Sequence, residues 1–380
     1  MGEAGILLAG GGTAGHVNPL LATAAQLELL SSLPRLVVGT AQGLEAELVP
    51  LAGEELLTIE RLPLPRKPSL DLLKLPFRLR RSVEYLRRVM RERNIGVVVG
   101  FGGYVATPVY LAARGLGLPI VIHEQNARAG LANRLGARWA KVVATTFAST
   151  RLRAPKGHTK VVGLPLRPAI AALAQSRESE EGTWARRAHA AKRFGLDADK
   201  PVIVVTGGSL GAVHLNEVAC PVLLARGQQV IHVTGKGKDE GVSKAVRALG
   251  AEARYKVFDY LLDMEEALAL ADVVVCRAGA GTVAEMSALG IPAIYVPLPI
   301  GNGEQKLNAS GVVDAGGAIL IEDADLDDAT LSSAFDQALE PERNASMAAL
   351  AKSCGTTQAA TKLAQLVLDC LPGGQEEENR

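Results

Sequence analysis

Residues 5–19 read GILLAGGGTAGHVNP and combine an apolar run, a glycine-rich turn and a helix start. The residues from Ile6 to Ala9 are all apolar, as in a parallel strand buried on both faces. Asn18 and Pro19 predict that a helix begins there, because asparagine is a favoured N-cap and proline suits the first helical position. A glycine turn at a helix N-terminus offers backbone N–H groups to anions, so this stretch predicts an α/β fold with an anion site.

The same arrangement recurs at residues 202–208, VIVVTGG, where the second half of the chain opens. Apolar runs alternate with longer helical stretches in both halves, which predicts parallel sheets flanked by helices. The predicted strands are 5–9, 36–38, 95–99, 119–123 and 141–145, then 202–206, 229–234, 253–257, 272–276 and 293–296. The fold class is therefore α/β, with two domains of similar design.

A chain of 380 residues is too long for one ordinary core, which also favours two domains. We expect a first domain at 1–164, a second at 165–372 whose last helix packs back on the first domain, and a flexible acidic tail at 373–380. The polar stretch 174–192 is expected to be a solvated helix or excursion. Ligands of open α/β sheets bind at the carboxyl ends of the strands, so two facing domains would hold two substrates in a cleft.

The charge and cysteine content restrict the functional class. Lys and Arg number 41 against 40 Asp and Glu, which argues against nucleic acid as a partner because phosphate binding needs a strong positive field. The four cysteines form no CxxC motif, and this usage fits a reducing cytoplasm. The N-terminus has no basic signal-peptide region, and no apolar run reaches the ~18 residues of a membrane span. Any membrane contact is therefore expected to be peripheral.

A dinucleotide-binding oxidoreductase is disfavoured. Its second strand should end on an acid that binds the ribose hydroxyls, but here that strand ends Val38-Gly39-Thr40. Three further glycine-rich turns follow apolar runs, at 100–104, 207–212 and 277–282. Any one of them is explained by chain reversal alone, since βα turns often need glycine. Four such turns across two domains favour phosphate binding.

Seven motifs resemble one family. They are GGTAGHVNP, GFGGYVATP, HEQNARAGLANR, VGLPLR, GGSLGA, RAGAGTVAEM and GEQKLNA, in that order. The sequence is similar to the MurG family, the UDP-N-acetylglucosamine:undecaprenyl-diphospho-muramoylpentapeptide N-acetylglucosaminyltransferases. The resemblance implies the GT-B fold, two Rossmann-like domains with parallel sheets facing across a cleft. It also implies inverting transfer of GlcNAc from UDP-GlcNAc to the 4-hydroxyl of the lipid-linked acceptor, without a cofactor.

The resemblance also implies roles for individual residues. His16 would be the general base for the acceptor hydroxyl. Diphosphate, nucleotide and sugar contacts would come from Thr13, Ala14, Gly15, Asn126, Arg167, Ser209, Leu261, Ala280, Gly281, Thr282, Val283, Ala284, Glu285, Glu304 and Gln305. Among these, Glu285 would lie in the first turn after its glycine loop and bind the ribose, and Leu261 would bind uracil through its backbone.

Elementary chemistry agrees with these roles. An inverting transfer needs one base, and histidine titrates near physiological pH. Backbone N–H groups and an arginine stabilise the charge that grows on the leaving UDP. The chain departs from the family at three positions: Ala14 replaces a common glycine, Leu210 a glutamine, and Glu304 the first of a glutamine pair. None of these departures removes a catalytic group.

Two Asp-x-Asp stretches, 197–199 and 323–325, match the motif of metal-dependent glycosyltransferases. Both lie in polar loops without further ligands, so capping and solvation explain them and no catalytic metal is expected. His123 ends an apolar run and is interpreted as structural.

Residues 61–93 contain 11 Lys and Arg against 3 Asp and Glu in a nearly neutral chain. Leu79, Val83, Leu86 and Met90 have helical spacing and are expected to pack on the sheet. The apolar residues around Pro76, with the arginines, predict contact with an anionic membrane surface at the cytoplasmic face.

Three functions stay open from the sequence. The leading one is the peptidoglycan-precursor transferase. A related UDP-sugar transferase could instead act on another lipid or a natural product. A catalytically silent UDP-sugar-binding protein is the third possibility.

Overall fold

The computed structural model describes residues 4–62, 70–208, 211–299 and 302–372, without the side chains of 70–73. The chain divides into two compact units. One comprises the described residues up to Arg167 together with those from Gln358 onward, and the other is Pro168–Thr357. The expected contacts of Ser209, the substituted Leu210 and the acidic tail at 373–380 lie outside the described residues.

Within the described residues, the first unit has a seven-stranded parallel sheet in the order β3-β2-β1-β4-β5-β6-β7. Its strands are β1 Gly5–Ala9, β2 Arg35–Gly39, β3 Leu56–Thr58, β4 Ile95–Gly100, β5 Ile120–Glu124, β6 Val142–Thr145 and β7 His158–Val161. Its helices are α1 Ala14–Leu30, α2 Glu45–Leu51, α3 Leu70–Glu92, α4 Gly103–Leu116 and α5 Leu131–Gly136.

The described part of the second unit has a six-stranded parallel sheet in the order β10-β9-β8-β11-β12-β13. Its strands are β8 Val202–Thr206, β9 Gln229–Val233, β10 Tyr255–Phe258, β11 Val273–Cys276, β12 Ala293–Tyr295 and β13 Ala318–Leu320. Its helices are α6 Pro168–Ser176, α7 Glu180–Phe194, α8 Val213–Arg226, α9 Glu240–Ala248, α10 Met264–Leu270, α11 Ala280–Leu289, α12 Glu304–Asp314, α13 Asp328–Leu339 and α14 Pro341–Cys354.

Strand β1 shows why its sequence is apolar throughout. Ile6 and Leu8 point to one face of the sheet and pack with α1 and with the last helix, α15 (Ala359–Leu368). Leu7 and Ala9 point to the other face and pack with α3 and α4. Alternate residues of a strand face opposite sides, so helices on both faces require an unbroken apolar run. Both sheets are parallel, and the predicted α/β fold is confirmed.

The expected helix stripe of α3 is confirmed. Leu86 and Met90 are buried and Val83 nearly so, and all three belong to the core under the sheet with Leu79 packed against them. On the same helix Phe77 is 78% exposed. In the part of the chain that the structure describes, no helix is both long and apolar enough to span a bilayer.

The helix after the first glycine turn begins earlier than the sequence predicts. It starts at Ala14 rather than at Asn18, and Pro19 lies inside it. Thr13 is the N-cap in an extended conformation, and its carbonyl accepts the amides of His16 and Val17. Gly12 has a positive φ of 86°, which turns the chain directly after β1. The first turn of the helix therefore forms before Pro19 is reached.

Candidate active site

Two glycine turns meet where the paired strands β1 and β4 end. A Cβ built on Gly103 would lie 2.7 Å from the Gly11 carbonyl oxygen, so the second turn packs directly on the first. Gly102 has φ 92° and ψ −164°, a conformation that residues with a Cβ rarely adopt. Glycine is therefore required where these turns touch, beyond the need to reverse the chain.

His16 is the third residue of α1 and lies over this junction, half-buried. Its Nδ1 is 3.1 Å from the Gly11 carbonyl oxygen and 3.0 Å from Thr13 Oγ1. A carbonyl oxygen only accepts hydrogen bonds, so we assign the ring hydrogen to Nδ1, which leaves a lone pair on Nε2. Burial lowers the pKa of His16, although its Gly11 bond and the charge of Glu45 act in the opposite direction. At neutral pH the imidazole is thus an uncharged base.

The lone pair of His16 lies beside the second turn. A Cβ built on Gly102 would be 3.4 Å from His16 Nε2 and 3.4 Å from Asn133 Nδ2. Glycine at this position therefore keeps space beside the basic nitrogen. The arrangement can accept a proton from a hydroxyl group that enters there.

Asn133 belongs to a buried polar cluster. The Asn133 side chain donates from Nδ2 to the carboxylate of Glu124 (2.9 Å) and accepts at Oδ1 from the Tyr110 hydroxyl (2.7 Å). Glu124 also accepts the amides of Asn126 (3.0 Å) and Gly130 (3.1 Å). Burial raises the pKa of Glu124, and these hydrogen bonds act to lower it. The cluster fixes the loop after β5, which carries Asn126.

The structure brings several of the predicted first-unit residues together. Thr13, Ala14, Gly15 and His16 share one turn, and Thr13 and Gly15 are exposed. The amides at the start of a helix lack intrahelical acceptors, so Ala14 and Gly15 suit an anion. Asn126 is half-buried two strands away in the sheet order, after β5, whereas Arg167 is half-buried and follows the edge strand β7.

The predicted residues of the second unit gather at the carboxyl edge of its sheet. Leu261 follows β10 and is half-buried. The predicted contact residues after β11 lie in the first two turns of α11, with Ala280 and Val283 buried and Gly281, Thr282, Ala284 and Glu285 half-buried. The prediction that Glu285 lies in the first helical turn is wrong. The helix begins directly after Gly279, so Glu285 is its sixth residue and lies in the second turn.

Gln305 and Glu304 open α12, after β12, and both are half-buried. The Gln305 side-chain oxygen accepts the Leu298 amide at 2.9 Å. Asn308 is buried, and its side chain donates to the Ala278 carbonyl at 3.3 Å. Gln305 thus stabilises the loop after β12, and Asn308 stabilises the glycine turn after β11.

The Arg277 side chain connects the turn after β11 to the loop after β12. Its Nη1 donates to the carbonyls of Val296 (3.1 Å) and Pro297 (3.2 Å) and forms an ion pair with Asp323. Asp323 also lies 3.2 Å from His214 Nδ1. The sequence reasoning assigned Arg277 no role, because its partners lie up to 46 residues away in the chain.

The Asp-x-Asp stretches have structural partners. Asp197 accepts the Asp199 amide at 3.0 Å and pairs with Lys200, and Asp323 is held by Arg277 as described above. Within the described ranges, His, Cys, Asp and Glu side chains form no cluster of three or more suited to a metal ion.

Sequence reasoning missed four side chains that shape these turns: Glu45, Asn133, Arg277 and Asn308. Asn133, Arg277 and Asn308 fall inside the motifs HEQNARAGLANR, RAGAGTVAEM and GEQKLNA, so the motifs themselves carried the signal. Glu45 is completely buried and accepts the Gly12 amide at 2.9 Å. An acid in the stretch LEAELVP gives no sequence signal of that burial.

Comparison with known proteins identifies the family of both units. Residues 6–145 match the glycosyltransferase family 28 N-terminal domain, and residues 202–367 match the glycosyltransferase family 28 C-terminal domain. The crystal structure of Acinetobacter baumannii MurG is 30% identical in sequence and superposes with a TM-score of 0.77. The match covers 96% of this chain and 99% of the Acinetobacter chain.

Two curated relatives have the same name, UDP-N-acetylglucosamine–N-acetylmuramyl-(pentapeptide) pyrophosphoryl-undecaprenol N-acetylglucosamine transferase. The protein of Bifidobacterium adolescentis is 50% identical over 338 residues, 84% of this chain and 85% of the relative. That of Paenarthrobacter aurescens is 48% identical over 371 residues, 96% of each chain. The resemblance inferred from the motifs is confirmed: this chain belongs to glycosyltransferase family 28 and, within it, to the MurG family.

Proposed function

We propose that this protein transfers GlcNAc from UDP-GlcNAc to the 4-hydroxyl of undecaprenyl-diphospho-MurNAc-pentapeptide, which forms the lipid-linked disaccharide of peptidoglycan synthesis. The names of relatives about half identical over most of the chain support these substrates. The observation that carries the chemistry is His16, whose Nδ1 hydrogen is held by the Gly11 carbonyl while Nε2 keeps its lone pair.

The proposed reaction is a single displacement. His16 Nε2 takes the proton of the acceptor hydroxyl as its oxygen attacks the anomeric carbon of GlcNAc. The bond from that carbon to the diphosphate oxygen breaks, UDP leaves with the electron pair, and the anomeric configuration inverts. The low pKa that burial gives His16 supports this role, because a base must be unprotonated when the substrate arrives.

The second unit supplies the donor contacts in this proposal. The amides at the start of α11 and the helix dipole suit the diphosphate, and Ser209 would add to them. Glu285 would accept from the ribose hydroxyls and the Leu261 backbone would bind uracil. Since Gln305 uses its oxygen for the Leu298 amide, its amide nitrogen would meet a sugar hydroxyl, with Glu304 beside it.

We further propose peripheral binding at the cytoplasmic face of the membrane. The support is Phe77, 78% exposed on α3, with exposed Lys74, Arg80 and Arg81 on the same helix. An aromatic ring enters the interface while cations meet anionic headgroups. Flotation with vesicles containing phosphatidylglycerol should recover wild type and lose most of the Phe77→Asp variant. Leu29→Asp, exposed on α1, is the matched control. Equal recovery of wild type and Phe77→Asp would reject this membrane contact.

The test of the proposed reaction is transfer of radiolabelled GlcNAc from UDP-GlcNAc to the lipid-linked muramoyl-pentapeptide by purified protein. Label in a disaccharide-lipid product supports the proposal, and a β linkage in that product supports inversion. Transfer to other lipids or small glycosyl acceptors, with none to the muramoyl lipid, would instead identify a related transferase. Tight UDP-GlcNAc binding without transfer to any acceptor would identify a binding protein.

A further inference from the structure

Glu45 is a completely buried acid beside the first glycine turn. Its Oε2 accepts the Gly12 amide at 2.9 Å, and its Oε1 accepts both the amide (2.9 Å) and the hydroxyl (2.7 Å) of Thr40. These partners are neutral donors, and together they bring α2, the end of β2 and the glycine turn onto one carboxylate. Burial tends to raise the pKa of Glu45, but the hydrogen bonds outweigh it and the net pKa is lowered. The group is therefore an anion at neutral pH.

The backbone is closely fitted around this carboxylate. A Cβ built on Gly11 would lie 2.5 Å from Oε1, and one built on Gly39 would lie 2.5 Å from the Glu45 Cγ. Gly43 approaches the carboxylate from a third side. Such close approach leaves Glu45 no room to move away from the Gly12 amide, so the anion occupies one position relative to the turn.

The two hydrogen bonds that hold the turn belong to one peptide group. The Gly12 N–H that donates to Glu45 and the Gly11 C=O that accepts from His16 Nδ1 are joined by the same peptide bond. We propose that Glu45 is a positioning residue for His16 that acts through the Gly11–Gly12 peptide, with carboxylate, peptide and imidazole forming one hydrogen-bonded chain. An anion on the N–H end polarises the peptide and strengthens the bond that its carbonyl accepts.

The consequence for His16 has a definite sign. A negative charge at the far end of the chain stabilises the imidazolium, so it raises the pKa of His16 against the effect of burial. The same bond keeps the hydrogen on Nδ1 and the lone pair on Nε2. Glu45 thus makes Nε2 more basic without touching a substrate. The elements around the turn also carry other titratable groups: Glu28 on α1, Arg35 on β2, Glu47 on α2, Tyr104, Tyr110 and Arg114 on α4, His123 and Glu124 on β5, and Lys362 on α15.

The test is a titration of His16 by NMR in protein with isotope-labelled histidine, with the resonance assigned through His16→Gln. In Glu45→Gln the carboxylate charge is lost at nearly constant shape. We expect the His16 midpoint to fall by about one pH unit. In the transfer assay, kcat should fall about tenfold and the acidic limb of kcat/KM should move to lower pH, with KM for UDP-GlcNAc unchanged. An unmoved His16 midpoint in a folded Glu45→Gln protein would overturn the inference.

Thr40→Val is the matched control. It removes one hydrogen bond from the same buried carboxylate but keeps the charge and the Gly12 bond. We expect it to lower the thermal unfolding temperature while the His16 midpoint stays within a few tenths of a pH unit of wild type. A shift as large as that of Glu45→Gln would show that loosening the cluster, rather than losing the charge, affects His16, and would also overturn the inference.

If Glu45→Gln does not fold, wild type alone provides the test. Protonating His16 strengthens its bond to the Gly11 carbonyl, so the Gly12 amide resonance should titrate with the same midpoint as the His16 ring. A Gly12 amide that does not respond would contradict the proposed chain.

The inference rests on the proposed function for its effect on rate, whereas the titration does not. A His16 shift in a protein that transfers no GlcNAc would reject the function and keep the coupling. Transfer with an unmoved His16 midpoint would reject the coupling alone.

Discussion

Acid should destabilise the first unit through His123, whose side chain is completely buried on β5. Its Nε2 donates to the Gly163 carbonyl at 2.9 Å, and its Nδ1 lies 3.2 Å from the Gln125 side-chain nitrogen, which donates to it. Both ring nitrogens are therefore used by the neutral imidazole. Burial lowers the pKa of His123 to about 4, against 6.5 for an unperturbed histidine.

The size and sign of the effect follow from this difference. Below pH 6.5 the unfolded chain binds a proton at residue 123 that the folded chain does not bind until about pH 4. The stabilisation is complete above pH 6.5 and is lost as the pH falls toward 4, at about 1.4 kcal/mol per pH unit. Across the whole window His123 costs about 3 kcal/mol of unfolding free energy.

The assay needs a signal from the first unit, and the two tryptophans allow it. Trp139 lies in that unit with the Arg114 guanidinium 4.4 Å from its ring centroid, and Trp184 lies in the other. In a Trp184→Phe background, urea unfolding followed by Trp139 fluorescence is measured from pH 8 to pH 4.5. His123→Gln in this background should be less stable at pH 8 by about 1–3 kcal/mol, because buried hydrogen bonds are lost.

Below pH 6.5 the two curves should converge. The unfolding free energy of the His123 protein should fall more steeply than that of His123→Gln, by about 1.4 kcal/mol per pH unit. His158→Gln, at an exposed position on β7, is the control and should follow the parent curve. Parallel curves for the parent and His123→Gln would refute the reasoning, since they would show that His123 binds protons equally in the folded and unfolded states.

Three further predictions concern the two units. Gly102→Ala should cost about 1–3 kcal/mol in thermal unfolding because Gly102 has a positive φ, and GlcNAc transfer should fall at least about tenfold because the added methyl group would lie 3.4 Å from His16 Nε2. The control is Gly117→Ala, which also has a positive φ but open space around it and should keep wild-type transfer. Equal losses of transfer in both variants would contradict the prediction. Tyr110→Phe should lower the free energy of urea unfolding by about 1–3 kcal/mol, because the buried side-chain oxygen of Asn133 loses the Tyr110 hydroxyl that donates to it at 2.7 Å. An unchanged stability would argue against that hydrogen bond. Gln305→Ala should weaken UDP-GlcNAc binding about tenfold in calorimetry, because the loop after β12 loses its 2.9 Å brace, and an unchanged Kd would remove this residue from the proposed donor site.

Nine of the strands predicted from the sequence are buried along most of their length, as an apolar run in a parallel sheet indicates, and the tenth, β10, is a half-buried edge strand. All ten predicted strands are present, with ends that differ by at most two residues. Among the described residues, three further strands were missed. Leu56–Thr58 and Ala318–Leu320 have three residues each, and His158–Val161 is mostly exposed and polar. Short edge strands are defined by pairing with a neighbour rather than by an apolar run.

The site shows a similar division. Motifs predicted the glycine turns that lead into α1, with His16, and into α11, with Glu285, because glycine patterns are local in sequence. The supports of those turns come from distant segments: Glu45 reaches Gly12 across 33 residues and Arg277 reaches Asp323 across 46. A buried acid or arginine is specified by the partners that the fold brings to it, and composition or periodicity gives no indication of those partners.

The central claim is that His16 is the base of GlcNAc transfer. It is tested most directly by the single-turnover rate of transfer from UDP-GlcNAc to the lipid-linked acceptor in His16→Ala, with UDP-GlcNAc binding measured on the same preparation. We predict that the rate falls by about 10²–10⁴-fold while the Kd for UDP-GlcNAc stays close to that of wild type. A variant that binds UDP-GlcNAc normally and transfers at nearly the wild-type rate would contradict the claim.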